Sequence, residues 1–394
     1  MAAKAQLATC EVAHADTYVK TTGPELDDPA LLPFDHAMQR FMVRNKVHAG
    51  QLCILEHGWL IVARGYSWPA SYATTKPSSL FRIASISKMF TEAAIFELFG
   101  TDPTKLNQKA FALLGITKAA LSSQKPDPRV NQITVQHLLD HAGGWNDGRA
   151  DKKFNLPNSH FDPVFQIRKI ATDLGLSGPP SKRDLARYMY GEPLQFTPGA
   201  PWPADGPKGK ITAYSNFGYL LLGLIVEEVS GMPYIDFVRD KLCAPLGIKD
   251  VYLGRMLAGA IHPREVSYDA AGSGPNALEP HSNVNAPSAY GGGGFVTELM
   301  DSGGGLIANA TALASFARSH AAFGYGGRMG SARSGGMDGT MSLVESRDDV
   351  DFAYIFNAAQ PQDVQDEFFA EMKALFDTTT LPEPKFPPLQ PSHA

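Results

Sequence analysis

Cysteine is scarce in this chain. Cys10, Cys53 and Cys243 are scattered through 394 residues. They form no metal-type spacing and no disulfide framework, and such sparing use of thiols fits a reducing compartment. No stretch approaches the roughly 18 unbroken apolar residues of a membrane span. The opening MAAKAQLATCEVAHADTYVK lacks the apolar centre of a secretory leader. These absences predict a cytoplasmic protein with no membrane partner. Positive charge is short as well. Lys and Arg number 35 against 40 Asp and Glu, for a formal net charge of -5. With no basic run, nucleic acid is not an expected partner.

What is present reads as globular. Hydrophobic residues make up 44% and charged residues 19%, so a core can form without staples. Phe34, Ala37, Met38, Phe41 and Met42 recur at helical spacing over 34–47. Residues 51–66 read as two apolar strands joined at His57-Gly58. From 102 to 248 the signals are mainly helical, broken by Pro/Gly loops. A glycine-rich, irregular stretch covers 254–305, and its run Gly291 to Gly294 predicts a mobile loop over a pocket. A helix is expected at 311–320, strands at 341–345 and 350–357, and an amphipathic helix at 363–376. Strands therefore sit at both ends and helices between them. This predicts an α+β fold: one antiparallel sheet from the N- and C-terminal parts, flanked by helices, with an inserted mainly helical domain. The expected parts are a loose arm (1–33), a sheet domain (34–100 and 306–380), the insert (101–305) and a Pro-rich tail (381–394).

The stretch FRIASISKMFTEAAIFELFG puts Ser85 three residues before Lys88, on one face of a helix. A serine hydroxyl is a weak nucleophile until a base takes its proton. A lysine in an apolar pocket can do that, and a helix N-terminus favours the negative charge that forms. The bland reading is a helix cap beside a surface cation. A second Ser-x-x-Lys, Ser122 to Lys125, runs into Pro126 in a polar loop and is discarded. Further on, Tyr214-Ser215-Asn216 precedes a strongly apolar helix. Tyr214 can relay a proton, and the Asn216 amide can orient the lysine and hold a carbonyl. The bland alternative makes Asn216 a helix cap and Tyr214 packing. The third stretch, SARSGGMDGTMSLVES, places Arg333-Ser334-Gly335 before a strand. There, glycines admit a substrate to the strand edge, a backbone N–H can complete an oxyanion hole, and arginine can grip a carboxylate.

In this order the three motifs resemble those of the serine β-lactamase and penicillin-binding-protein superfamily. The branch resembled is that of class C β-lactamases, D-alanyl-D-alanine carboxypeptidases and related esterases and acyltransferases. ITVQHLLDHAGGW, QFTPGAPW and DSGGGLIANATALASFARS carry the likeness beyond the motifs, over roughly 34–376. The resemblance implies that Ser85 is acylated, Lys88 activates it, Tyr214 is a general base or acid, and Asn216, Arg333, Ser334 and Gly335 bind substrate. It implies an oxyanion hole from the backbone N–H groups of Ser85 and Gly336, and no cofactor. Arginine stands where the family usually has lysine, histidine or tryptophan. This departure counts against β-lactam hydrolysis and favours a substrate with a carboxylate or other polar group near the site. The expected function is a serine hydrolase on small esters, or an acyltransferase. The rivals are an amidase, carboxypeptidase or β-lactamase, and a non-catalytic binding protein of the same fold. His137 and His141 stand four apart as a zinc site would have them, but the metalloprotease glutamate is missing, so no metal is expected. Trp145, Trp202 and Tyr290 lie in loops near the expected cleft, where ordinary packing is the preferred reading.

Overall fold

The computed structural model describes residues 18–24, 28–147, 162–200, 213–321, 331–347 and 349–384. Its strands in chain order are β1 (Lys20–Thr22), β2 (Ala49–Glu56), β3 (Trp59–Ser67), β4 (Phe81–Arg82), β5 (Val251–Leu253), β6 (Ser273–Pro275), β7 (Asn285–Pro287), β8 (Leu306–Ala308), β9 (Ser331–Met337), β10 (Thr340–Ser346) and β11 (Val350–Phe356). Five longer helices frame the site and the core: α1 (Leu32–Asn45), α2 (Ser87–Phe99), α3 (Asn216–Ser230), α4 (Ala310–His320) and α5 (Gln362–Thr378).

His57 and Gly58 take φ of 51° and 84°, the left-handed pair that closes a two-residue hairpin between β2 and β3. The main sheet runs β1-β3-β2-β11-β10-β9, antiparallel at every pairing. The last strand of the chain thus lies against the second, with Leu52 opposite Tyr354 and Ile54 opposite Phe352. Strand side chains alternate between faces. Leu52, Ile54, Phe352, Tyr354 and Phe356 join the core made with α1 and α5. There Phe41 meets Phe368 at 4.3 Å and Phe34 meets Phe376 at 4.9 Å between ring centroids. Cys53, Leu55, Ala353 and Ile355 face the other way, into the larger core with α2, α3 and α4. A small sheet, β4-β8-β5, lies at the entrance to α2. Among the described residues no helix is long and apolar enough to cross a membrane.

Three expectations change. The arm, read as loose, supplies β1, which pairs with Gly65–Ser67 of β3. Three residues are too few to show a period. The motif Arg333-Ser334-Gly335 lies inside a strand, β9, and not ahead of one; two adjacent glycines hid the alternation. Gly291 to Gly294 is a packed turn. Its amides bond to Pro287, Ser288 and Gly291 carbonyls at 3.0–3.1 Å. A Cβ on Gly292 would stand 2.0 Å from the Ala286 carbonyl oxygen, so close approach is what requires glycine there.

Candidate active site

Strand β4 is tied to β8, with Ile83 N donating to Leu306 O at 3.1 Å. The chain then bends at Ala84, whose φ of 45° is uncommon without glycine. Ser85 follows in a 3₁₀ turn, Ala84–Ile86, that leads into α2. Its hydroxyl caps nothing. Ser85 Oγ lies 2.7 Å from Tyr214 Oη and 3.2 Å from Lys88 Nζ. Lys88 is 2% exposed. Its Nζ also donates to Asn216 Oδ1 at 2.6 Å and Gly303 O at 2.5 Å, between the rings of Tyr214 and Tyr219. Two N–H groups are thus engaged by fixed acceptors. The remaining valence of Nζ, a lone pair in the amine or a third N–H in the ammonium, faces Ser85. Tyr214 is 37% exposed, so the serine-tyrosine pair opens to solvent while the lysine lies beneath it.

The Tyr-x-Asn segment is pinned from several sides. Ser215 is the N-cap of α3 and accepts from Gly218 N at 3.0 Å. That cap role frees Asn216 for the site. Ser215 N donates to His141 Nδ1 at 3.1 Å, and the imidazole lies against Tyr214 and Tyr219 at 4.6 and 5.0 Å. Burial pulls the His141 pKa down to about 3, reinforced by the charges of Lys88 and Arg333. His141 is therefore a neutral acceptor that holds the second motif. His137 instead completes a capping box with Thr134. Among the described residues no cluster of His, Cys, Asp and Glu could hold a metal. Trp145 is buried edge-on to Phe217 at 4.8 Å, and the Tyr290 hydroxyl accepts from Tyr268 N at 3.0 Å; both pack. Trp202 lies outside the described residues.

Sequence reasoning missed Asp147 and Asp162. Asp147 N donates to Tyr214 O at 2.7 Å. Asn216 N donates to Asp147 Oδ2, and Asn216 Nδ2 to Asp162 Oδ2 at 2.7 Å. Burial raises both carboxyls, Asp147 well above the ordinary range with Asp162 adding to the effect. The two stand 69 and 54 positions before Asn216. No local spacing could have signalled them.

The third motif lies on β9, an edge strand of the sheet. Arg333 and Gly335 share the face turned toward α2. A Cβ on Gly335 would stand 2.3 Å from Ile83 O and 3.1 Å from Ser85 N, so glycine is what lets β9 lie against the Ser85 turn. Ser334 and Gly336 are exposed on the alternate face. The carboxylate that Arg333 meets is an internal one. Arg333 Nη2 meets Glu92 Oε1 at 2.6 Å, with the arginine side chain 12% exposed. Burial pushes the Glu92 carboxyl up, while Arg333 and the Tyr219 hydroxyl stabilise its charged form. Burial also works against the Arg333 charge, but Glu92 more than offsets it, helped by Tyr219 and Tyr214. Arginine here answers an internal carboxylate on the helix that carries Lys88.

The α+β fold, with strands from both ends of the described chain in one sheet, brings a serine, a lysine and a tyrosine within hydrogen-bond reach of one another beside that sheet. The chain belongs to the Beta-lactamase family, whose family model matches residues 34–341. It is 27% identical over 210 residues to "Penicillin-binding protein 4*" of Bacillus subtilis, covering 53% of this chain and 37% of that one. It is 23% identical over 266 residues to "Protein flp" of Staphylococcus aureus, covering 65% and 45%. The alignments thus span less than half the length of these relatives. Among solved structures, the octameric penicillin-binding protein homologue from Pyrococcus abyssi matches with TM-score 0.58 and 19% identity, over 90% of this chain and 79% of that one. The D-amino acid amidase of Ochrobactrum anthropi SV3 matches with TM-score 0.55 and 17% identity, over 86% and 98%. These two likenesses speak to the fold.

Proposed function

We propose that the chain is a serine acyl hydrolase or acyltransferase that forms an acyl-enzyme on Ser85 from small carboxylic esters. One observation carries this: a single serine oxygen within hydrogen-bond reach of both Tyr214 Oη and Lys88 Nζ. As Ser85 Oγ bonds to the ester carbonyl carbon, its proton passes to the tyrosine-lysine pair, which acts as a coupled unit. The carbonyl π electrons move to oxygen, toward the backbone N–H groups of Ser85 and Gly336. Collapse expels the alkoxide, which takes the proton back through Tyr214. Water or another alcohol then accepts the acyl group by the reverse steps. Asn216 holds Lys88 in place through Oδ1, with its NH₂ group turned to Asp162. The Arg333–Glu92 pair leaves the third motif without the carboxylate clamp that a β-lactam or peptide C-terminus would meet. This favours neutral esters.

The second reading, amide hydrolysis, draws support from the solved amidase among the similar folds and from the tyrosine hydroxyl placed to protonate an amine. A fluorophosphonate probe followed by intact mass tests the nucleophile: wild type gains one adduct and Ser85→Ala none. Turnover of p-nitrophenyl esters, D-amino-acid amides and a chromogenic cephalosporin then separates the substrates. Ester turnover alone is the expected result. Amide turnover at comparable kcat/KM transfers the assignment to the second reading. An unlabelled, inactive wild type would show a binding protein that kept the fold.

A further inference from the structure

Asp147 and Asp162 are 6% and 3% exposed, both accept from Asn216, and their carboxyls lie close enough to act on each other. Their donors are unequal. Asp162 Oδ1 accepts from Val164 N at 3.1 Å and Oδ2 from Asn216 Nδ2 at 2.7 Å. Asp147 Oδ2 accepts from Asn216 N. Asp147 Oδ1 meets no donor among the described residues. Two bare carboxylates in contact would repel strongly in a buried site, and an acceptor left without a donor is costly there.

We propose that Asp147 carries a proton on Oδ1 and donates it to Asp162, so that the pair holds one negative charge and fixes the amide of Asn216 with Oδ1 toward Lys88. Both are positioning residues, and the inference rests on Ser85 being the nucleophile. The amide orientation matters because Lys88 Nζ donates to Asn216 Oδ1 at 2.6 Å. A flipped amide would set N–H against N–H and push the lysine away from Ser85. The Asp162 charge prevents the flip by demanding the NH₂ group for itself. Among the described residues, the other ionisable groups beside the pair are Lys88 on α2, whose charge favours the ionised form of both carboxyls, and His141, which is neutral and bonds to the adjacent Ser215.

The test uses the full chain and the fluorophosphonate probe. Its Ser85 reaction forms an O–P bond and releases fluoride, so the inactivation rate constant reports serine activation apart from probe affinity. Asp147→Asn supplies an N–H where the proposal places an O–H, and is expected to react within roughly threefold of wild type. Asp147→Ala loses donor and acceptor together. Asp162→Asn keeps an acceptor for Asn216 but loses the charge. Both are expected to slow inactivation roughly 10- to 100-fold, as for loss of a hydrogen bond to a charged group, with the saturation constant unchanged. Asp162→Asn at the wild-type rate, or Asp147→Asn as slow as Asp147→Ala, overturns the proposal. Should Asp162→Asn fail to fold, the comparison of Asn with Ala at position 147 decides alone. A wild type that never labels overturns the assignment of Ser85, and this inference with it, and is recognisable before any variant is made.

Discussion

A cation in the third motif can either meet a charge on the substrate or balance one inside the protein. For Arg333 the contact with Glu92 selects the second use. Glu92 stands four residues after Lys88, on the same side of α2, and 241 positions from Arg333, so the sequence alone leaves the partner invisible. A buried ion pair is a poor source of net stability, but removing one member strands the other. Arg333→Met or Glu92→Gln alone should therefore lower stability by roughly 3–5 kcal/mol. The double variant Glu92→Gln/Arg333→Met should recover most of that loss, because the glutamine carbonyl still accepts from the Tyr219 hydroxyl. Thermal unfolding of the four proteins checks this. Any loss of ester turnover in folded Arg333→Met should be equal for neutral and acidic esters. A selective rise in KM for acidic esters would return Arg333 to the substrate.

The proposed oxyanion hole depends on where β9 lies. The strand must lie close enough to the Ser85 turn for two backbone N–H groups to converge, and Gly335 sets that distance. Gly335→Ala would put a methyl 2.3 Å from Ile83 O and 2.6 Å from Ser342 Oγ, forcing β9 outward. We expect kcat for esters to fall on the order of 10²-fold or more, the effect of losing one oxyanion donor, with the fold retained. Gly336→Ala should be mild by comparison, since its nearest neighbour is Gln365 Nε2 at 4.0 Å. Steady-state kinetics and circular dichroism of the two variants provide the check, and equal losses would refute this role of Gly335. Legibility divided along similar lines. α1, α5 and β11 each bury one face in the core with α1 and α5, so apolar periodicity located them to within about two residues. β9 has glycine where a pattern would show. Of the site, Ser85, Lys88, Tyr214 and Asn216 were legible because two short motifs carry them. Asp147, Asp162, His141 and Glu92 support those residues across tertiary contacts, and a support of that kind has no spacing to read.

Across the whole molecule, two opposed sets of buried groups set how stability varies with pH. Burial raises the carboxyls of Asp35, Glu92, Asp147, Asp162 and Asp301. A group with a raised folded value contributes most at low pH and loses that contribution as pH rises through it. Buried histidines act in the opposite sense. Burial lowers His141 to about 3 and His320 to about 4, so each favours the folded state above the unfolded value of about 6.5 and loses that contribution as pH falls. His320 isolates the second effect. It lies at the end of α4, stacked on Phe316 at 4.4 Å, with no role in the site. In a comparison of wild type with His320→Gln the carboxyl contributions cancel, leaving the titration of one imidazole. The wild-type advantage should be largest near pH 7.5 and should shrink by on the order of 1 kcal/mol by pH 5, allowing for partial exposure. Urea unfolding at the two pH values measures the difference. An advantage that stays constant with pH would mean that His320 takes up its proton as readily in the folded chain as in the unfolded one, and that burial beside Phe316 does not govern its charge.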